Sequence, residues 1–545
     1  MDASNIPRKS RPKKRQNSTK IDDSTGHTQN RLRHLEALVE QLSERVKVAE
    51  QNYEAQAQSQ SQQQDETLID TTLLSTLATS DDGDTDCINN NLMAMYLPPL
   101  EHVLPIVDIF LERFNTVLPL FHANTLLHLV HHFYNLPLPQ RDPVVWAAIN
   151  VVLALAYQFD QVGSRNTNLP AEYFNKAQSV LSAVVLGDTH LLNIQVLVGM
   201  VFIRQASPDL THSLVLIATT MRLIHKVGLH DRTASAHLDA ASARQRACVF
   251  WMAYILDKDL SMRSKQPSIQ LDDDIDLDLP SPCTAEHQIN NICVDENTGV
   301  AHGIITTVDG IMKMNYFVAR IQLAVIEGGV YDYLYSTRSH KRSTEERFRA
   351  LESVACALET WKASIPFEFS AWMAPNTVSN HTLQLLAVLH STSLACTTLL
   401  NQANAWNTRW MDSIREYATG GTMPILPPQW DAMVDEARHL TVLLGALPVQ
   451  NRWNFWTTGC SHMTAMMLLT FNGMQRPQHD KLFSDNQLVD NGLRMLDQVL
   501  EETHSEVVRS FRDACAKLHW DSRGRRAEAT VIAKDLEIPT HLVNS

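Results

Sequence analysis

The sequence predicts an all-α fold: one large helical domain, preceded by a short coiled coil and a disordered basic tail. Three observations carry that expectation. Glycine supplies only 18 of 545 residues, about 3% against a usual ~7%. So little glycine leaves few tight turns and bulges, which disfavours a many-stranded sandwich or a glycine-rich phosphate cradle. From Leu97 onward, apolar residues recur mostly at three- and four-residue spacing, the period of a helix with a buried face. Strand-like alternation is nowhere sustained. The remaining composition, 44% hydrophobic and 19% charged, is that of a globular chain long enough to bury a large core.

The N-terminus stands apart electrostatically. Residues 1–20 carry seven Lys and Arg against one acid, Asp2, whereas the whole chain has a net charge of −14. The first 20 residues are therefore +6 and the other 525 are −20. A basic tail on an acidic body meets a polyanion or an import receptor through the tail alone. Within it, RKSRPKKR at 8–15 concentrates Arg8, Lys9, Arg11, Lys13, Lys14 and Arg15. Pro7 and Pro12 rule out a helix there, so the segment is not the basic region of a zipper. It reads as a nuclear import signal able to touch DNA phosphates, with a plain solubilising tail as the alternative.

Residues 31–54, RLRHLEALVEQLSERVKVAEQNYE, hold about three heptads. Leu32, Val39, Val46 and Tyr53 fall at a, and Leu35, Leu42 and Ala49 at d. Valine at a with leucine at d favours two parallel strands. Arg31 and Arg45 at g stand five residues before Glu36 and Glu50 at e, the spacing that pairs across a parallel dimer. The segment predicts a dimerisation coil, homotypic or heterotypic. An amphipathic helix docked on the chain's own body is the competing reading. Residues 55–95 follow as a polar linker, with seven glutamines in 51–64 and DDGDTD at 81–86.

Beyond the linker, helices are expected at 102–115, 123–135, 142–158, 170–186, 189–206, 208–228 and 239–265. Others are expected near 305–337, 343–364, 378–402, 430–446, 455–474 and 486–519. Breaks fall at Pro137-Leu-Pro139, Gly187, Pro208, Gly228, Pro280-Ser-Pro282, Pro366 and Pro424–Pro428. The helical domain is assigned to 96–480, and 481–545 to a C-terminal helical extension. The eight cysteines are nowhere closer than ten residues apart, so no CxxC unit exists and a local zinc site is not expected. They read as reduced, mostly buried thiols of a soluble intracellular protein. The basic N-terminus has no apolar stretch behind it, and the apolar run 144–157 is too short to span a bilayer.

Three stretches of the body resemble the middle homology region of fungal binuclear zinc cluster transcription factors. LVLIATTMRLIHKVGLHDR at 214–232 supplies Arg222, Leu223, Gly228, Leu229 and His230. The stretch from Ala243 to Pro280 supplies Arg244, Arg246, Phe250, Trp251, Tyr254, Asp257, Leu260, Pro267 and an acidic tail with Asp276, ending at Pro280. IQLAVIEGGVYDYLYSTRSHKRSTEERF at 321–348 supplies Tyr331, Leu334, Tyr335 and Ser336, followed by Trp361 and Pro366. The resemblance covers about residues 100 to 480, and RLRHLEALVEQL resembles the family's linker and coil. Two departures stand out. Lys265-Gln266-Pro267 replaces the family's usual Gly-Arg-Pro, and no cysteine precedes Cys87, where the family's six-cysteine DNA-binding cluster would lie. The chain is thus expected either to have lost that module or to be an incomplete version of a longer product.

Three constellations invite chemistry. Asp272-Asp273-Asp274-Ile275-Asp276 contains DDxxD, which on an all-α chain suggests Mg²⁺ and a diphosphate. No properly spaced partner motif follows, and Pro267 and Pro280 favour an extended, solvated acidic loop. His128, His131 and His132 share a helix, with His128 and His132 one turn apart as metal ligands could be, but polar surface positions explain them better. Gly459-Cys460-Ser461-His462 lacks the closing glycine and preceding strand of a nucleophile elbow and reads as a core helix. Phe250, Trp251 and Tyr254 likewise read as core rather than a ligand cage.

The resulting expectation is a nuclear transcription regulator, dimeric through its coil, that controls genes of a metabolic or biosynthetic pathway, as the resemblance implies. Its partners would be DNA, directly or through another protein, and a nuclear import receptor, without a membrane, metal, cofactor or catalytic residue. The alternative is a non-DNA-binding module that modulates a zinc-cluster partner. A Mg²⁺-dependent, terpene-cyclase-like enzyme is the remote third.

Overall fold

The computed structural model describes residues 95–160, 168–280, 302–405, 407–447 and 452–536. The basic tail, the coil and all of the linker but Met95 lie outside the described residues. Among the described residues there are eighteen α-helices and one two-stranded hairpin, so the all-α expectation holds.

The first half comprises α1 (Leu100–Ile109), α2 (Ala123–Asn135), α3 (Pro143–Asp160), α4 (Leu169–Ser179), α5 (Leu181–Leu186), α6 (Leu191–Arg204), α7 (Thr211–Val227) and α8 (Ala240–Ser264). Helices α3 and α6 are apolar on nearly every side, and a helix of that kind must be wrapped by others. Trp146–Ala156 and Asn193–Ile203 are buried without interruption. The two helices pack directly on each other. Gly199 permits the approach, since a Cβ there would come 2.4 Å from Val151 Cγ1.

The second half opens on strands β1 (Ile304–Thr306) and β2 (Lys313–Asn315), antiparallel with Ile304 opposite Asn315. It continues with α9 (Tyr316–Val330), α10 (Thr337–His340), α11 (Thr344–Ser364), α12 (Ala374–Thr377) and α13 (Asn380–Leu400). Then come α14 (Thr408–Ala418), α15 (Trp430–Gly445), α16 (Arg452–Gln475), α17 (Leu482–Thr503) and α18 (Glu506–Leu536). Helix α13 is long and apolar enough to cross a membrane by length and composition, and most of it is buried among other helices.

Helix α8 joins the halves, packing on α6 and α7 on one side and on α9 on the other. Its thirteen residues Val249–Ser261 are all buried, including Asp257, Lys258 and Asp259. Its start is fixed by Asp239, whose carboxylate accepts from the N–H groups of Ala241 and Ser242.

Four local features differ from expectation. The helix expected at 170–186 is two, α4 and α5, broken at Val180 with φ −110 and ψ 19. The helix expected near 305 begins at Tyr316, where Asn315 caps it through the Val318 N–H; the hairpin occupies the preceding residues. The helix expected over 486–519 is two helices, because His504 adopts a left-handed conformation, φ 50, at the end of α17. Helix α14 is an addition, capped by Asn407.

Candidate functional site

Helix α7 ends at Gly228, whose φ of 74 is left-handed and lets the Leu229 N–H reach back to Ile224 O at 3.0 Å. Arg246, on the second turn of α8, donates to Val227 O at 3.0 Å and to Ser235 Oγ at 2.8 Å. A cation is thereby placed at the negative end of α7. His230 sits against His225, and burial together with that neighbour pushes its pKa down.

Past α8 the chain turns back over it as an extended strap from Gln266 to Pro280. Most anchors of the strap are side chains of one α8 face. The Asp257 carboxylate accepts from the N–H groups of Ile269 and Gln270, both at 2.9 Å. Burial pushes the Asp257 carboxyl above the usual range, although those two donors pull the other way. Lys258, buried at 1% exposure, donates to Gln270 O at 2.8 Å, Ser268 Oγ at 3.0 Å and Asp272 Oδ1 at 2.9 Å. The Tyr254 hydroxyl donates to Asp272 Oδ1 at 2.8 Å, and Trp251 Nε1 to Asp278 O at 3.3 Å. The far end of the strap is stitched to the α7 exit: the Asp276 N–H donates to His230 O and the Arg232 N–H to Asp276 O.

One seam therefore unites Gly228, His230, Arg246, Trp251, Tyr254, Asp257 and Asp276, with Pro267 and Pro280 bounding its extended backbone. Phe250 is core, in ring contact with Trp251 and Tyr254. Arg222 is exposed on α7. Tyr335 lies elsewhere, tying the turn after α9 to Leu399 O of α13 at 2.5 Å. In the DDxxD run, Asp272 is committed to Lys258 and Tyr254, and Asp273 and Asp274 are exposed. His128, His131 and His132 are exposed on α2. Among the described residues no group of three or more His, Cys, Asp or Glu side chains is placed to hold a metal.

Next along α8, a second polar cluster is largely buried. Arg320 pairs with Glu327 at 2.9 Å and with Asp259 at 3.4 Å, and Asp259 pairs with Arg263 at 3.2 Å. Arg263 also donates to Gln205 O and Trp456 O, both at 3.1 Å. Burial pushes the Glu327 carboxyl up to about 7 and outweighs the pull of Arg320. Arg320 is held above its ordinary value by the two carboxylates. Sequence reasoning missed this cluster, although Arg320 and Glu327 are the sole charges of α9 and stand two turns apart. The Asp259–Arg263 pair forms one wall of an open cavity of about 270 Å³ bordered by α8, α13, α16 and α18.

Residues 107–374 match the fungal specific transcription factor domain. They belong to that family. The domain contains the whole strap and the Arg320–Glu327 pair, together with Trp361, whose Nε1 donates to Ala319 O at 2.9 Å. The family's usual glycine gives way to Lys265, which takes the left-handed conformation itself, φ 57, at the end of α8. The chain is 31% identical over 439 residues to an ABC-transporter-regulating transcription factor of Aspergillus oryzae, covering 77% of this chain and 46% of the relative. It is 29% identical over 473 residues to a protein of the same description in Aspergillus fumigatus, covering 82% and 50%. A Fusaridione A cluster transcription factor of Fusarium heterosporum is 22% identical over 431 residues, covering 78% and 77%. The chain spans about half the length of the two Aspergillus relatives. These comparisons point to transcription factors rather than enzymes.

Proposed function

We propose that this protein regulates transcription of a set of metabolic or biosynthetic pathway genes in the nucleus, acting as a coil-paired dimer. The observation that carries the reading is the transcription factor domain over 107–374, joined to relatives described as regulators of ABC transporters and of a biosynthetic cluster. Charge decides where DNA is touched. A body of −20 repels a polyanion, so direct contact falls to the basic cluster Arg8–Arg15. Six cations there contact up to about six phosphates, giving a salt slope near −5 with little base choice. Pairing through residues 31–54 brings in a partner able to add base choice to these contacts.

Transcript profiling of a strain lacking the gene tests the function. A coordinated change confined to one gene cluster or transporter set is the expected result, and an unchanged profile overturns it. Selection of sites from random duplex DNA by the purified chain tests the division of labour. Weak binding with a slope near −5 and no enriched sequence is expected; a defined, repeated half-site would show that the chain reads bases itself.

A further inference from the structure

The cavity beside Asp259 and Arg263 has two features that helix packing does not account for. The first is Gly459, the eighth residue of the 24-residue helix α16 and part of the cavity wall. Glycine inside a helix is destabilising unless backbone conformation or a close neighbour demands it. Gly459 has no positive φ, and a Cβ there would meet only Phe455 Cζ at 3.9 Å. At Gly199 and Gly492, by contrast, a Cβ would come within 2.4 and 2.5 Å of a side chain. Gly459 leaves open space that a long side chain at this position would fill.

The second is Thr392 of α13, which lines the same cavity at 6% exposure. Its hydroxyl has no hydrogen-bond partner among the described residues. The nearby Thr397, Thr398 and Thr464 each donate to a carbonyl of their own helix. Thr392 Oγ1 is reached from the cavity rather than sealed in the core, so a ligand bearing a polar atom can bond it there.

The remaining lining sets the class of ligand. Met262, Leu399, Phe455, Trp456 and Phe511 make apolar and aromatic walls. Arg263 is committed to Asp259 and to two backbone carbonyls, so the pair offers neither sign of charge to a guest. Lys265 also lines the cavity and is exposed. At about 270 Å³ the space lies near the lower edge of the roughly 300–1,000 Å³ of small-molecule sites. It lies between the matched domain, which ends at residue 374, and the helices that follow it, a seam of the kind ligands favour.

We propose that this cavity binds a small uncharged molecule with a flat, largely apolar body and one hydroxyl or carbonyl that bonds Thr392 Oγ1. The site is read from binding alone, so its failure and that of the transcriptional role are separate outcomes. The test is equilibrium dialysis of the full chain with 2-naphthol, 2-naphthoate and naphthalene near pH 8, where the naphthoate is ionised and the naphthol is not.

Saturable binding of one 2-naphthol per chain with a Kd below about 1 mM is expected, with 2-naphthoate at least about tenfold weaker. Gly459→Leu should abolish it while raising or preserving the melting temperature, since leucine fills the space and suits the helix better. Thr392→Val, nearly isosteric, should weaken 2-naphthol by about tenfold and leave naphthalene unchanged. Absence of saturable 2-naphthol binding overturns the proposal. So does equal affinity for the anion, or undiminished 2-naphthol binding in a well-folded Gly459→Leu chain. Should Gly459→Leu melt below the wild type, Thr392→Val decides: loss of 2-naphthol affinity alone supports the site, and equal loss for both probes rejects it.

Discussion

Glu327 is where burial and pairing oppose each other most directly. Its carboxyl is held up to about 7 against an ordinary 4.5, because burial outweighs Arg320 even at 2.9 Å. Between those two values the folded chain binds a proton that the unfolded chain has released. The stability this proton contributes is complete below about 4.5 and is lost as pH rises through about 7. At 1.36 kcal/mol per unit, the loss amounts to at most about 3 kcal/mol. Glu327→Gln keeps an acceptor for Arg320 without a titration. Urea unfolding at pH 5 and pH 8 should therefore show the wild type losing about 1–3 kcal/mol more than the variant across that interval. Other titrating groups are common to both proteins and cancel in the difference. Parallel profiles would mean that Glu327 is ionised throughout, and the account of this cluster would fail.

At the scale of elements, α8 and its strap explain why so many charged residues sit in one buried helix. Asp257 satisfies two strap N–H groups, and Lys258 satisfies two strap oxygens and a carboxylate. Asp257→Ala leaves both N–H groups unpaired and Lys258 with one less compensating charge, a loss of about 2–4 kcal/mol. Asp273→Ala, in the exposed middle of the acidic run, should stay within about 0.5 kcal/mol. Chemical denaturation of the pair measures the contrast, and similar losses would remove the strap's anchoring role. The sequence announced α8 almost to the residue, because Asp239 is a strong cap and no glycine or proline interrupts the chain from Ala240 to Ser264. It also pointed to Arg246, Tyr254 and Asp257, but not to their task, since their partners are mostly backbone groups of an extended segment. Strands β1 and β2 are three residues each, too short to display alternation. The break at His504 carries no glycine or proline to mark it. The cavity was illegible because its walls come from segments as distant as Leu210 and Phe511.

At the scale of the whole molecule, the core does not stop where the matched domain stops. Helix α16 is buried at all nine positions of Met463–Phe471, and it packs on α13, α15, α17 and α18. From the last two helices, Val489, Leu493, Leu496, Val499, Val508 and Leu518 enter the same continuous core. At roughly 1.5–3 kcal/mol for each buried side chain, these six contribute on the order of 10 kcal/mol. That equals the entire net stability of a typical domain, about 5–15 kcal/mol. A chain ended after residue 480 should therefore lose its cooperative urea transition and aggregate through the uncovered face of α16. The full chain should keep a cooperative transition of its core. Truncation also removes Val507 and Phe511 from the cavity, so it should abolish 2-naphthol binding. If the shortened chain instead unfolded cooperatively at the full chain's midpoint, α17 and α18 would be an appendage, and the cavity would need only α8, α13 and α16 for its walls.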